Sequence, residues 1–328
     1  MKRKIMNLLL PLIPFLVAGC SDAVLPADNG ADVIRLYASG SGLPAATKGE
    51  TVKEITPFGT TVFASLQSGT YATSAAGSWT HDASVDKYGA VSFTADFKPT
   101  YPNTGGNIYL VAVSPAVAAG ANDAAVGSIT SDGTVAYTLD GTQDLLYAKE
   151  ISGNRTDGHR FSGNSNAANN KPLAYEHLLT QLQFEARMAS GTSDGTTVMV
   201  NKITVNNVKT AATVKLANGT TTFADTPTAL LELTPASGGV SVSSTTAVAI
   251  GNLLLPPLAS GTTYTITVKT TVGGSDKTYS DVPITGNNLF QPGHSHVITL
   301  TIGATSLEIT SVKVDAWTTV DKGELSTK

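Results

Sequence analysis

Apolar residues recur at every second position in short runs along this chain. From Ala90 to Phe97, Val91, Phe93, Ala95 and Phe97 fall on one side and Ser92, Thr94 and Asp96 on the other. Thr134–Leu139 repeats the pattern with Val135, Tyr137 and Leu139, and Thr263–Val268 reads Thr-Tyr-Thr-Ile-Thr-Val. In His296–Ile302, Ile298, Leu300 and Ile302 share one face. A period of two is that of a half-buried strand, because successive side chains point to opposite faces of a sheet. Asn107–Val113 is apolar at both phases and predicts a strand central in a sheet. Helical signals are few: Ala174–Leu182 predicts a short turn of helix before a strand at Gln183–Met188. Asp132-Gly133, Asp140-Gly141, Asn218-Gly219 and Gly273-Gly274 supply turns between the runs. Many short strands at such spacing predict an all-β chain built of β-sandwiches.

The chain has 328 residues, a length that suggests about two domains. The longest polar stretch, Ser152–Lys171, is rich in Ser, Asn and Gly and sets the expected boundary, with one domain to residue 165 and the other from 166. Hydrophobic residues make up 41%, enough for two cores. Charged residues are 14% and the net charge is −4. Binding to nucleic acid draws on clustered Lys and Arg, so this balance argues against a nucleic-acid partner.

Residues 1–19 read as a leader. Lys2, Arg3 and Lys4 precede an apolar stretch from Ile5 to Val17 that is shorter than the roughly 20 residues a spanning helix requires. It ends in Leu16-Val17-Ala18-Gly19-Cys20, which resembles the lipobox of bacterial lipoproteins, and Cys20 is the one cysteine of the chain. That resemblance implies cleavage before Cys20, lipidation there and attachment to the outer membrane, several acyl chains holding where one does not. Residues 21–31 read as a tether.

At the other end, LEITSVKVDAWTTV (residues 307–320) changes phase. Leu307 and Ile309 share one face, whereas Val312, Val314 and Ala316 occupy the opposite phase. A slip near Thr310-Ser311 predicts a bulge or bend joining two strands, the second carrying Trp317. So apolar a terminal segment needs a sheet, in its own molecule or in another.

Candidate chemistry is sparse. His294 and His296 lie two apart at a strand start, where both face one side and could ligate a metal, although solvated turn histidines are the plainer reading. His177, in an apolar segment, reads as a boundary histidine with a partner. Asp82, Asp86, Asp140 and Asp144 lie where turns favour Asp. No P-loop, nucleophile elbow or dinucleotide fingerprint occurs, so no cofactor and no enzymatic activity are expected.

Several segments in order resemble the fimbrillin family of Bacteroidota, the lipoprotein precursors of protease-assembled pilins. They are Val33–Ala38, FGTTVFASL at Phe58–Leu66, IYLVAVSP at Ile108–Pro115, DLLYA at Asp144–Ala148, HLLTQLQF at His177–Phe184, ITVNNV at Ile203–Val208, and FQPGHSHVITLTI at Phe290–Ile302 leading to VKVDAW at Val312–Trp317. The resemblance implies two tandem Greek-key sandwiches of transthyretin-like type, at residues 49–165 and 166–328. It also implies assembly with other fimbrillin subunits by strand exchange. A trypsin-like or Arg/Lys-specific protease would remove the first strand, within residues 20–48, and the last strands of another subunit would fill its place. Carried onto this chain, the cut falls at Lys48, with Arg35 the second candidate. The inserted side chains would be Val312, Val314, Ala316 and Trp317. Left uncut, the chain would be an anchor or minor subunit. The alternative is a surface lipoprotein that binds glycans on an aromatic platform of Trp79, Trp317 and Tyr101.

Overall fold

The computed structural model describes residues 33–40, 56–71, 77–94, 96–117, 126–156, 159–161, 171–192, 196–226, 228–235, 238–284, 290–303 and 305–316. Among them there is no α-helix, and every regular element is a strand. In chain order these are β1 (Leu36–Gly40), β2 (Phe58–Ser65), β3 (Trp79–Val85), β4 (Ala90–Phe93), β5 (Ile108–Ser114), β6 (Val126–Ile129) and β7 (Thr134–Thr138). Then follow β8 (Leu146–Gly153), β9 (Leu173–His177), β10 (Thr180–Met188), β11 (Val198–Lys209), β12 (Ala211–Lys215), β13 (Thr221–Phe223) and β14 (Thr228–Leu233). The last are β15 (Val240–Val242), β16 (Val248–Leu255), β17 (Thr265–Val272), β18 (Ser275–Pro283), β19 (His294–Ile302) and β20 (Leu307–Ala316).

The first sheet closes on itself in the order β1-β4-β3-β2-β5-β8-β9, and a parallel pairing of β9 with β1 completes the circle. An open sandwich was the expectation for this half. Its interior holds Val62, Leu110, Ala112, Ala148 and Leu173, all fully buried. A second sheet, β13-β12-β7-β6, covers the outer face through Phe63, Val111, Val113, Val135, Tyr137 and Val214. Strand β5 therefore has Ile108, Leu110 and Ala112 in one core and Val111 and Val113 in the other. That double cover is why its sequence is apolar at both phases.

The remaining strands form a sandwich. One sheet runs β16-β10-β19-β20; the other runs β14-β11-β17-β18, with β15 also paired to β11. Ile298, Leu300 and Ile302 of β19 face Ile203, Val205, Ile266 and Val268 across the core. Each such side chain contributes about 1.5–3 kcal/mol on burial.

Residues on both sides of position 165 share sheets: β9 completes the first sheet, and β12 pairs with β7 from Ala211↔Thr138 to Lys215↔Thr134. One described residue of the polar stretch after β8 packs on the barrel. Phe161 is buried there, its N–H donates to the Tyr101 hydroxyl at 2.6 Å, and the two rings stack.

Two local expectations are corrected. Residues 174–182 hold no helical turn: Leu173, Tyr175, His177 and Leu179 alternate inward along β9 and its exit. Their flanks are claimed by β8 and β1, and pairing on both sides overrides a weak helical spacing. The strand expected to run to Phe97 stops at Phe93, because the chain turns through Asp96 at φ 53°. Phe97 then folds back to stack on His81.

Candidate functional site

The first and last described strands are the features the sequence singled out. Strand β1 lies between β4 and β9. It pairs antiparallel with β4 (Leu36↔Val91, Tyr37↔Ala90) and parallel with β9 (Ala38↔Leu173, Ser39↔Ala174, Gly40↔Tyr175). Ahead of it, Val33 bridges Thr100 and the Ile34 N–H donates to the Pro99 carbonyl at 2.7 Å. Ile34, Leu36 and Ala38 point into the barrel and are buried. The sequence dictates this placement, since those three are the apolar members of an alternating run whose other members are Arg35, Tyr37 and Ser39.

Gly89 fixes how close β1 comes to its neighbour. Its backbone has φ 87°, its carbonyl accepts from the Ala38 N–H at 2.7 Å, and a Cβ there would lie 2.7 Å from the Ala38 carbonyl oxygen. Only glycine takes this backbone cheaply. Sequence reading missed Gly89, and its setting in the turn Asp86–Ala90 was the available signal. There the Asp86 carboxylate accepts from the N–H groups of Tyr88 and Ala90, each at 2.8 Å.

Arg35 lies between the Val33 bridge and β1, half-buried and engaged by the surrounding structure. Cys20, Lys48 and Trp317 lie outside the described residues.

Strand β20 is the outermost of its sheet, pairing with β19 from Ile302↔Leu307 to His294↔Ala316. The predicted slip is a bulge: Leu300 faces Ile309 and Thr299 faces Ser311, which leaves Thr310 as the extra residue. The two expected strands are thus one continuous strand, since a single extra residue is absorbed without breaking the ladder. Thr310 is held by Thr301 (Oγ1···Oγ1 2.8 Å) and by Arg187, whose Nη2 donates at 3.3 Å. Leu307, Ile309 and Val312 pack against the sandwich core, whereas Val314 is 36% exposed. Ala316 closes the ladder opposite His294. Arg35 precedes β1 of the circular sheet, whereas Val312, Val314 and Ala316 belong to β20 of the sandwich.

The histidines take separate roles. His177 is buried, with Nδ1 2.7 Å from Asp144 Oδ2, the partner expected of a boundary histidine. His294 Nδ1 lies 3.0 Å from the Pro292 carbonyl oxygen. His296, expected to be solvated, is fully buried beside Phe290. It precedes the inward run of β19 and shares its phase, so the strand carries it inside. Burial, with His294 adding to it, holds its pKa down to about 4. Among the described residues no group of three or more His, Cys, Asp or Glu side chains is placed to hold a metal ion. Tyr101 is buried against Phe161 and offers no free face for a sugar. Trp79 is half-buried, its ring edge-on to Phe93 and Phe97.

A family model described as fimbrillin-like matches residues 46–317, most of the chain. The chain belongs to the fimbrillin-like family. Among solved structures, a candidate cell adhesion protein of Bacteroides uniformis is similar at 17% identity and a TM-score of 0.57, over 89% of this chain and 99% of that one. A candidate cell adhesion protein of Bacteroides ovatus has 12% identity and a TM-score of 0.54, over 88% and 99%. A fimbrial protein of Bacteroides vulgatus has 14% identity and a TM-score of 0.52, over 87% and 99%. At such identities the structural likeness speaks for the fold. No curated protein matches the chain. In this fimbrillin-like chain the conspicuous features are the strand ladders at β1 and β20.

Proposed function

We propose that this chain is a structural subunit of cell-surface fimbriae that supports adhesion and polymerises by exchange of β1 for the terminal strand of another copy. It is made as a lipoprotein precursor, residues 1–19 being the leader and Cys20 the site that anchors it to the outer membrane. Residues 20–48 are the tether and removable strand. The two tandem Greek-key units of transthyretin type correspond to the barrel with its covering sheet and to the sandwich. The partners are other fimbrillin subunits and an Arg/Lys-specific protease.

The observation that carries this reading is the place of β1. It is the first strand described, it closes a circular sheet, and its loss would leave a gap between β4 and β9 with unpaired backbone groups and an uncovered core. Unpaired N–H and C=O groups beside apolar surface form a template for a new strand. A cut at Lys48 releases all of β1, whereas a cut at Arg35 leaves Leu36–Gly40 in the mature chain. Lys48 is therefore the productive site.

The test is limited proteolysis of the purified precursor with a trypsin-like protease, followed by electrophoresis of unboiled samples in SDS. Expected outcomes are a mature chain starting at Gly49, ladders of multimers, and loss of both in Lys48→Gln. A chain ending at residue 306 should be cut yet remain monomeric. Ladders from that shortened chain would refute the exchange.

A further inference from the structure

Resting on the proposed exchange, the shape of the place β1 occupies also specifies how its replacement must lie. Hydrogen bonding does not choose a direction. Strand β1 is antiparallel to β4 and parallel to β9, so a strand entering the other way would again make one ladder of each kind. Side-chain volume does choose. Along β1 the inward residues run Ile34, Leu36, Ala38, two four-carbon side chains and then a single methyl, all buried. Beyond its bulge, β20 carries Val312, Val314 and Ala316 at one phase, two three-carbon side chains and then a methyl. The order of sizes is the same when both are read from N- to C-terminus.

We infer that the incoming strand of a second copy runs in the direction of β1, with Val312, Val314 and Ala316 taking the positions of Ile34, Leu36 and Ala38. In the reverse direction Val312 would put two extra carbons where Ala38 is fully buried, and Ala316 would leave three carbons empty at Ile34. Slipping the forward register by two residues either drives Val314 into the Ala38 position or sets Ala316 at Leu36. On the outer face Lys313 then stands where Arg35 was, and Asp315 where Tyr37 was. The tight end of the space is the one where Gly89 meets the Ala38 backbone.

Crosslinking reads the direction. Because the Ala38 N–H bonds the Gly89 carbonyl, the adjacent pair Tyr37↔Ala90 is a non-hydrogen-bonded pair, where facing Cα atoms lie about 4.5 Å apart, within disulfide range. The full-length chain with Cys20→Ser is prepared as two double variants, Ala90→Cys with Asp315→Cys and Ala90→Cys with Lys313→Cys. Each is cut by protease, assembled and oxidised, and covalent multimers are read after boiling in SDS without reductant. The forward direction places residue 315 opposite residue 90, and the reverse places residue 313 there. At least tenfold more covalent multimer from the Asp315 variant is the expected result. Equal yields, the opposite ratio, or intact non-covalent ladders with neither pair crosslinked would overturn the assignment while leaving the exchange standing. If the unsubstituted chain gives no ladders at all, the exchange itself fails. As a second measurement, Ala316→Ile should slow assembly at least tenfold; an unchanged or faster rate refutes the forward direction, because isoleucine would then be filling the Ile34 position.

Discussion

His296 is fully buried, and neither of its ring nitrogens has a hydrogen-bond partner among the described residues. Its folded pKa, about 4, lies below the ordinary value of 6.5, so the unfolded chain binds the extra proton first as pH falls. The contribution of the neutral ring is complete above about pH 6.5 and is lost toward pH 4, at no more than about 1.4 kcal/mol per pH unit. Urea unfolding across that window should show the decline, and His296→Leu should flatten it; parallel profiles would mean that another group titrates. Gly89 offers a second test. Gly89→Ala and Gly105→Ala both force alanine into left-handed backbone, at about 1–2 kcal/mol each. Only at Gly89 does the new methyl also meet the Ala38 carbonyl and the Tyr37 ring, whereas nothing lies within 4 Å at Gly105. The Gly89 variant should therefore be the less stable of the two by denaturant midpoint. At this scale the sequence was partly legible. The partnered His177 could be read from its apolar setting, and the phase that His296 shares with Ile298, Leu300 and Ile302 was a local signal of burial that the reading as a turn histidine passed over.

The bulge of β20 belongs to the scale of the element. Removing Thr310 would leave Leu307, Glu308, Ile309, Ser311 and Val312 in strict alternation with the same apolar members inward. The deletion loses the hydroxyl contacts to Thr301 and Arg187, about 1 kcal/mol, and should leave the strand paired. Inserting a serine after Ser311 instead turns Val312, Val314 and Ala316 to the opposite face. In the free subunit Val312 then leaves the sandwich core, so the insertion should lower the thermal midpoint more than the deletion does. Equal midpoints for the two variants would show that face choice in β20 is irrelevant to its packing. The phase slip behind this prediction was legible because a period of two is a local signal. In Ala174–Leu182 the local signal misled: Leu178, Leu179 and Leu182 have helical spacing, but Leu178 lies in the connection between β9 and β10, where its N–H donates to the Leu145 carbonyl at 2.9 Å. Partners from β8 and β1, far off in sequence, settled the outcome.

For the molecule as a whole, the crossing of β12 and β13 onto the barrel ties the two halves together. Tyr137, Val111 and Val113 share one core with Ala212 and Val214, which arrive from the second half of the chain. Thermal unfolding monitored by tryptophan fluorescence and by far-UV circular dichroism should give one coincident transition. A chain ending after Met188 should bind a hydrophobic dye and melt without cooperativity. A sharp transition in that shortened chain would mean that the barrel stands alone. Two β units were legible from length and strand spacing, and the circular closure was not, because Ala38 meets Leu173 135 residues farther on. That separation has a temporal consequence. A chain emerging N-terminus first can form the β3–β4 hairpin and dock Leu36 and Tyr37 on β4 early, but the other flank of β1 must wait until more than half the polypeptide has appeared. Loop-closure entropy makes this contact among the slowest to form. The strand proposed to depart is the one whose second flank is sealed late, and for that interval any extended apolar segment nearby competes with β9 for the same row of donors and acceptors.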